Sequence, residues 1–452
     1  MIRRLGSFFT FLSLRLVPDP FVFALILTFV TFVLGMVLGG KGAAEMVRMW
    51  GRGLMGSEFL TFAAQMCLVL ITGHALAATA PVRRLLKAVA GVPRSQFGAV
   101  ALTTLTASVL GLINWGLGLI GGAMLCREMG AQARRRGLPV SYALLCAAAY
   151  TGLMVWHGGL SGSAPLKAAE EGHFLADRMG VLSIRQTILA PMNLVVSCAL
   201  VAALPLVMGA MSPRRREEID EMPDGIYEET VRGAAARPAR ATFAGRLENS
   251  ALITAVFALL GAGYLILHFR EKGFGGVDLN SIITAFLVAG FILHASPAAY
   301  VRAVADAVRG CGGILLQFPF YAGIMGMMHG AGLVAIISDW FVGFSTGFTY
   351  PLFTFVSASI VNVFVPSGGG QWMLQGPIMV EAAPKLGVSF SHTLMAVAYG
   401  DQVTNMIQPF WTLPLLGITH LEARQIMGYS AVACIFGFVI MGLGVTFLGF
   451  LI

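Results

Sequence analysis

Asn362-Val-Phe-Val-Pro-Ser-Gly-Gly-Gly-Gln-Trp372 interrupts a stretch, Thr349 to Val380, that contains no charged residue. Pro366 removes a backbone donor, and three consecutive glycines open conformations that other residues avoid. Hydrocarbon cannot satisfy the backbone groups that such a break frees, so breaks persist only where protein or a wet cavity surrounds them. A second break, Tyr399-Gly-Asp-Gln-Val-Thr-Asn-Met-Ile-Gln408, follows. The first half of the chain carries counterparts, Asn114-Trp115-Gly116 and then Tyr150-Thr-Gly-Leu-Met-Val-Trp-His-Gly-Gly159. Tyr150 and Tyr399 lie 249 residues apart, as do Pro165 and Pro414. Glycine and proline interruptions at corresponding places in two halves point to the binding site of a secondary transporter.

The rest of the chain agrees with a membrane setting. Of 452 residues, 57% are hydrophobic and 12% charged, whereas a soluble protein is about a quarter charged. Apolar runs long enough to span a bilayer recur, so the expected class is an all-α polytopic membrane protein. The net charge of +8 does not indicate a nucleic-acid partner. Its basic residues concentrate in short loops (Arg3 and Arg4; Arg83, Arg84, Lys87 and Arg94; Arg134 to Arg136; Arg214 to Arg216), the pattern that orients helices with positive loops inside. The six cysteines sit in or beside apolar segments without metal-ligand spacing, so neither a disulfide nor a cofactor is expected. Arg15 interrupts the first apolar run, which argues against a signal peptide. Phe8, Phe9, Phe11, Leu12 and Leu16 suggest an interfacial helix instead.

Candidate membrane segments are 20–40, 58–80, 96–126, 139–165, 186–211, 249–269, 279–295, 311–337, 349–380, 391–418 and 426–452. They divide into a first membrane repeat (1–211), a polar and mostly solvated cytoplasmic linker (212–248), and an extra helix with the second repeat (249–452). Segment 20–40 corresponds to 279–295, Gln65 to Gln317, and Gly137 to Gly387. If 96–126 enters, turns at Asn114-Trp-Gly and returns, all the basic clusters fall on one side and the second repeat runs opposite to the first. Each arm of such a re-entrant hairpin would be about 22 Å long. A broken spanning helix is the alternative for 96–126 and for 349–380.

The N–H groups of the Pro366–Trp372 loop, aimed by a half-helix N-terminus, suit an anionic carboxylate. Ser367 and Gln371 add side-chain hydrogen bonds and Trp372 an apolar wall. Asp401 is the most isolated acid of a membrane segment and is by default a functional residue, taking a proton or helping to hold Na+. His157 can exchange protons near neutral pH or serve as a helix–helix donor. Gly159-Leu-Ser161-Gly resembles the GxSG of intramembrane serine proteases, with His329 or His392 as the base. That reading leaves the repeated breaks unexplained.

Phe364-Val-Pro-Ser-Gly-Gly-Gly-Gln-Trp372, Asn114-Trp-Gly, Ala398-Tyr-Gly-Asp-Gln-Val-Thr-Asn405 and the opening Val17-Pro-Asp-Pro-Phe-Val-Phe-Ala24 together resemble the short-chain fatty acid transporters of the AtoE type, over nearly the whole chain. The resemblance implies an ion-transporter fold with two inverted repeats, re-entrant hairpins and broken helices. It also implies elevator-type alternating access and uptake of short carboxylates such as acetoacetate or butyrate. The expected protein is therefore a cation-coupled symporter of a bacterial inner membrane, not an enzyme, coupled to H+ or Na+ and working as a homodimer. Asn114, Trp115, Gly116, Asn362, Pro366, Ser367, Gly368, Gly369, Gly370, Gln371 and Trp372 would form the substrate site. Asp401, Gln402, Asn405, Tyr399 and His157 would handle the coupling ion. A passive carboxylate channel is the main alternative.

Overall fold

The computed structural model describes residues 2–232, 242–273 and 279–451, and every regular element among them is helical. After α1 (Ile2–Leu16), the first half runs α2 (Pro20–Val37), α3 (Ala43–Leu54), α4 (Ser57–Ala77), α5 (Ala80–Gly91), α6 (Gln96–Ile113), α7 (Trp115–Arg135) and α8 (Tyr142–Tyr150). α8 tightens into a 3-10 turn at Thr151–Met154, followed by α9 (Ser163–Ala168), α10 (Ala176–Met179) and α11 (Pro191–Ala210). The connection carries α12 (Asp224–Arg232) and α13 (Phe243–Glu248), and leads into α14 (Ala251–Lys272). The second half runs α15 (Leu279–His294), α16 (Pro297–Ala307), α17 (Gly312–Gly330), α18 (Leu333–Gly343), α19 (Tyr350–Phe364), α20 (Gly368–Lys385) and α21 (Phe390–Thr404). A 3-10 turn at Asn405–Ile407 separates α21 from α22 (Pro409–Thr419), and α23 (Ala423–Phe447) is last.

The order of elements repeats. α6–α7 matches α19–α20, α8 with its 3-10 turn matches α21 with its own, and α11 matches α23. The packing is reciprocal as well: α2 and α3 lie on α17, while α15 and α16 lie on α4. α2, α6, α11, the α13–α14 stretch and α23 are each long and apolar enough to cross a membrane. The outer faces of α2 and α14 stay apolar and exposed, as at Phe29, Leu252 and Leu259, which suits contact with lipid. α1 presents Phe8, Phe11 and Leu16 outward and packs its other face on α23, where Ser13 Oγ donates to the Arg424 carbonyl (2.8 Å).

Both 96–126 and 349–380 lie in helical hairpins rather than broken spanning helices. In α6–α7, a Cβ on Gly118 would fall 2.6 Å from Gly111 Cα, and one on Gly122 would fall 3.2 Å from Ala107 Cβ. These pairs are in antiparallel register. In α19–α20, Gln371 Nε2 donates to the Ala358 carbonyl (2.8 Å), Gln375 Nε2 to Ser357 Oγ (2.9 Å) and Tyr350 OH to the Met379 carbonyl (2.6 Å), again antiparallel. The first hairpin is longer than the sequence suggested. Its third segment does not stop at Cys126, because α7 continues through the buried Arg127 and Glu128 to Arg135. The arms of 18 and 21 residues measure about 27 and 31 Å at 1.5 Å per residue.

Local chemistry explains where the hairpins turn and end. Asn114 adopts an extended conformation and its side-chain oxygen accepts from the N–H groups of Gly116 (2.8 Å) and Leu117 (3.3 Å), so it ends α6 and caps α7. Val365, held extended by the following Pro366, ends α19, and Ser367 caps α20 through the Gly370 N–H (3.3 Å). At the far ends, Gly137 (φ 64°) and Gly387 (φ 69°) take the left-handed conformation. Leu138 N–H then bonds the Ala133 carbonyl and Val388 N–H the Ala383 carbonyl. This is one six-to-one glycine stop used twice.

The described part of the linker is mostly exposed but is anchored at several points. Tyr142 N–H donates to the Asp220 carbonyl (2.7 Å), Arg134 Nη1 to the Met222 carbonyl (3.0 Å) and Arg83 Nη2 to the Thr230 carbonyl (2.7 Å). These bonds dock α12 against the membrane helices. Ala234 to Arg240 lies outside the described residues.

Glycine contacts hold the first hairpin against the first broken helix. A Cβ on Gly111 would fall 2.2 Å from the Gly152 carbonyl oxygen, a backbone atom that cannot rotate away. Gly111→Ala is expected to destabilise the fold by about 1–3 kcal/mol, as overpacking does. A Cβ on Gly91 meets nothing within 4 Å, so Gly91→Ala should leave stability unchanged or slightly raised. Thermal melting of the two detergent-solubilised variants checks the contrast.

Candidate functional site

Two broken helices cross at the centre, and each satisfies the backbone freed by the other. Gln402 Oε1 accepts from the N–H groups of His157 (2.9 Å) and Gly158 (3.3 Å), where the first helix has unwound. Tyr150 OH reaches the other way, to the carbonyls of Asn405 (2.5 Å) and Gln408 (3.2 Å). Tyr399 OH donates to Asn193 Oδ1 (2.8 Å), whose Nδ2 donates to the carbonyls of Gly158 (2.8 Å) and Ile188 (2.6 Å). Residues 244 positions apart then meet directly: His157 Nδ1 lies 2.7 Å from Asp401 Oδ2, with both side chains almost fully buried.

The proton on this pair can be placed. Ala164 N–H donates to His157 Nε2 (3.1 Å), so Nε2 carries the lone pair. The imidazole is then neutral, with its proton on Nδ1, donated to Asp401 Oδ2. Among the described residues, Asp401 Oδ1 is buried with no hydrogen-bond partner, as are Asn362 Oδ1 and Asn405 Nδ2. Asn362 Nδ2 gathers three oxygens, the Asp401 carbonyl (2.7 Å), Thr404 Oγ1 (3.0 Å) and Asn405 Oδ1 (2.9 Å). Asn362, assigned from sequence to the carboxylate set, therefore directs its amide nitrogen into the Asp401–Asn405 group.

The two hairpin tips converge on the first break. Trp156 stacks on the His157 ring (4.3 Å, 11°), and its edge faces Trp115 of the first tip at 6.5 Å. Trp115 also meets Trp411 edge-on at 5.2 Å. Gly368 of the second tip sits on the same place, where a Cβ would fall 2.5 Å from His157 Cε1, 2.6 Å from Ser163 Oγ and 2.9 Å from Trp156 Cη2.

The tips are not equivalent. At the first, Asn114 takes the N–H groups of Gly116 and Leu117, and Ser161 Oγ takes that of Trp115 (3.0 Å). At the second, Ser367 takes only that of Gly370. The N–H groups of Gly368 and Gly369 have no acceptor among the described residues. They lie at the positive end of α20, beside His157 and Ser163. Gln371 and Trp372 turn inward, Gln371 to α19 and the fully buried Trp372 ring beneath Gly376. Pro366 sets the turn and Gly370 completes the Ser367 cap. Ser163, Ala164 and Asn193 escaped the sequence reading. Gly162-Ser163-Ala-Pro165, a helix restart after the break, was the available signal.

Ser161, the serine of the protease-like motif, accepts the Trp115 N–H. His392 Nε2, one of the two candidate bases, lies 2.7 Å from the Val445 carbonyl and is engaged there.

The family profile for short chain fatty acid transporters matches residues 1–448. Two proteins that both carry the name "Putative short-chain fatty acid transporter" are similar over nearly all of the chain. The one from Escherichia coli (strain K12) is 41% identical over 447 residues, covering 99% of this chain and 100% of its own length. The one from Haemophilus influenzae (strain ATCC 51907 / DSM 11121 / KW20 / Rd) is 38% identical over 460 residues, with coverage of 99% and 100%. Among solved structures, the Alcanivorax borkumensis YdaH transporter aligns with a TM-score of 0.43 at 14% identity, over 96% of this chain and 99% of that one. Neisseria gonorrhoeae MtrF aligns with a TM-score of 0.39 at 15% identity, over 95% of each. With a full-length family match and relatives of this identity, the chain is a multi-pass membrane protein that belongs to the short-chain fatty acid transporter family.

Proposed function

We propose that the protein carries short-chain carboxylates such as butyrate and acetoacetate across a bacterial inner membrane, coupled to a cation and by alternating access. One observation carries this reading: two unpaired amides, Gly368 and Gly369, at a helix N-terminus directly beside the His157–Asp401 pair. A carboxylate accepts from those amides, and the Trp115–Trp156–Trp411 cluster covers a short acyl chain. Asp401 Oδ1, buried and unpartnered, takes the proton, or with the oxygens around Asn362 holds Na+. His157 keeps the carboxylate oriented from the other side.

The same two groups give substrate and ion a shared dependence. A bare Asp401 carboxylate repels an anion at the neighbouring amides, and neutralising it removes that repulsion. Because Gly368 rests on His157, substrate entry requires the second tip to lift, which is the hairpin motion an elevator or gate needs.

A hydrolytic reading has one specific observation in its favour. Ser163 Oγ lies 3.4 Å from His157 Nε2, in line with Asp401 on the other ring nitrogen. Ala164 N–H already points at that nitrogen, which weakens it as a base for Ser163. Covalent labelling by a fluorophosphonate, lost in Ser163→Ala, would establish hydrolysis.

In proteoliposomes, butyrate and acetoacetate should accumulate saturably when one gradient, pH or Na+, is imposed alone. Equilibration without any gradient dependence would instead mean a facilitator or channel. Asp401→Asn should abolish gradient-driven accumulation and spare counterflow, and survival of both would remove Asp401 from coupling. Gly368→Ala should stop uptake because its Cβ meets His157. Gly369→Ala, whose Cβ meets only Ser163 at 3.7 Å, should transport. Ser367→Ala removes a cap worth about 1 kcal/mol, so the half-saturating substrate concentration should rise about fivefold.

A further inference from the structure

α7 and α22 run side by side from Trp115 and Trp411 to Arg127 and Ile418, where Arg127 Nη1 donates to the Ile418 carbonyl (3.2 Å). Arg127 is twelve residues beyond Trp115, about 18 Å along the helix. Here a cavity of 330 Å³ opens, well removed from the hairpin tips. Its walls combine Arg83, Arg127 and His420 with the apolar Leu86, Met124 and Ala303. Asp306 and Glu128 also line it, and Glu128 is bonded to Gln132 on its own helix (3.2 Å).

One ligand in this cavity comes from the linker. Glu229 of α12 places Oε1 3.2 Å from Arg127 Nη2 and Oε2 3.4 Å from His420 Nε2. Thr230 Oγ1 accepts from Arg127 Nε (3.2 Å) and Nη2 (3.0 Å). A hydrogen bond from His420, reinforced by Arg127, holds the Glu229 carboxyl down to about 2 against the effect of burial, so it is ionised throughout the neutral range. The receptor and its ligand differ in exposure. The Arg127 side chain is 9% exposed and that of Glu229 49%. The cation therefore belongs to the interior of the membrane helices, and the carboxylate arrives from a peripheral helix. A nearly buried guanidinium that loses its carboxylate is left with unpaired donors, a costly state that another carboxylate relieves.

We propose that Arg127 and His420 form a second carboxylate site, selective for short monocarboxylates whose alkyl chain lies along Leu86 and Met124, and that Glu229 occupies it as a tethered competitor. The substrate class rests on the proposed function, whereas the site does not depend on the hairpin tips. The basic residues Arg83 to Lys87 of α5 and Arg134 to Arg136 at the end of α7 assign it to the cytoplasmic side, where an acid leaving the tips along α7 would next meet a cation. Engagement of Glu229 and occupancy by a free carboxylate then exclude one another.

The test is equilibrium binding of radiolabelled butyrate to the purified full-length protein. Glu229→Ala should bind one more butyrate per chain than the unaltered protein, and Glu229→Gln, which keeps the shape without the charge, should do the same. The added site should persist when Gly368→Ala is combined with Glu229→Ala, and disappear when His420→Ala is combined with it. Unchanged melting would show that α12 remains docked through Arg83 and Arg134. If the unaltered protein binds butyrate and neither Glu229 variant adds a site, this proposal falls alone. If only the Glu229 variants bind, the second site stands and the hairpin reading falls. If nothing binds, both fall.

Discussion

The structure depends on how two unwound helices can lie inside a membrane protein at all. Each break frees carbonyls and N–H groups that lipid cannot satisfy. The chain meets this need by exchange: Gln402 caps the first break, Tyr150 caps the second, and Asn193 braces the first while being held by Tyr399. Because the caps cross between halves, neither half completes its own backbone. This exchange fixes the two breaks face to face, and from that alone His157 and Asp401 come within 2.7 Å. The His157–Asp401 pair is in this sense a product of the capping scheme.

Breaking the symmetry gives the site its direction. Both hairpins end in a capped helix N-terminus and close on the same glycine stop, yet the first tip satisfies its leading amides through Asn114 and Ser161 and the second leaves two free. An asparagine at the cap accepts from two successive N–H groups, whereas the Ser367 hydroxyl takes one. The first tip is thereby closed on itself and carries Trp115, and the second keeps two backbone donors without an acceptor among the described residues.

Much of this was legible before any coordinates. Pro366, the three glycines and Asn114 marked the turns, because those residues act through local backbone geometry that reads the same in any context. The 249-residue spacing paired the breaks. Gly137 and Gly387 stood out only as a repeated glycine, and their shared left-handed stop explains why both halves keep it. His157 and Asp401 were each suspect for burial of a titratable group, but their pairing was out of reach, since nothing local records a contact across 244 residues. The partners of Asn362 were out of reach for the same reason: its position on α19 is a sequence fact, while the direction of its amide nitrogen is set by α21.

Arg127 was missed for a different physical reason. A charged residue at the end of an apolar run ordinarily marks the water boundary, so the segment seemed to stop at Cys126. α7 instead carries the guanidinium inward, and what makes this tolerable is not solvent but α12. Glu229 and Thr230 supply the acceptors, and the Ile418 carbonyl at the end of α22 supplies one more. The polar linker and the buried arginine are therefore one feature seen from two sides. The arginine draws its acceptors from the linker, while the linker is also held by Arg83 and Arg134. It packs at the ends of α7 and α22, the helices that carry Trp115 and Trp411 at their other ends.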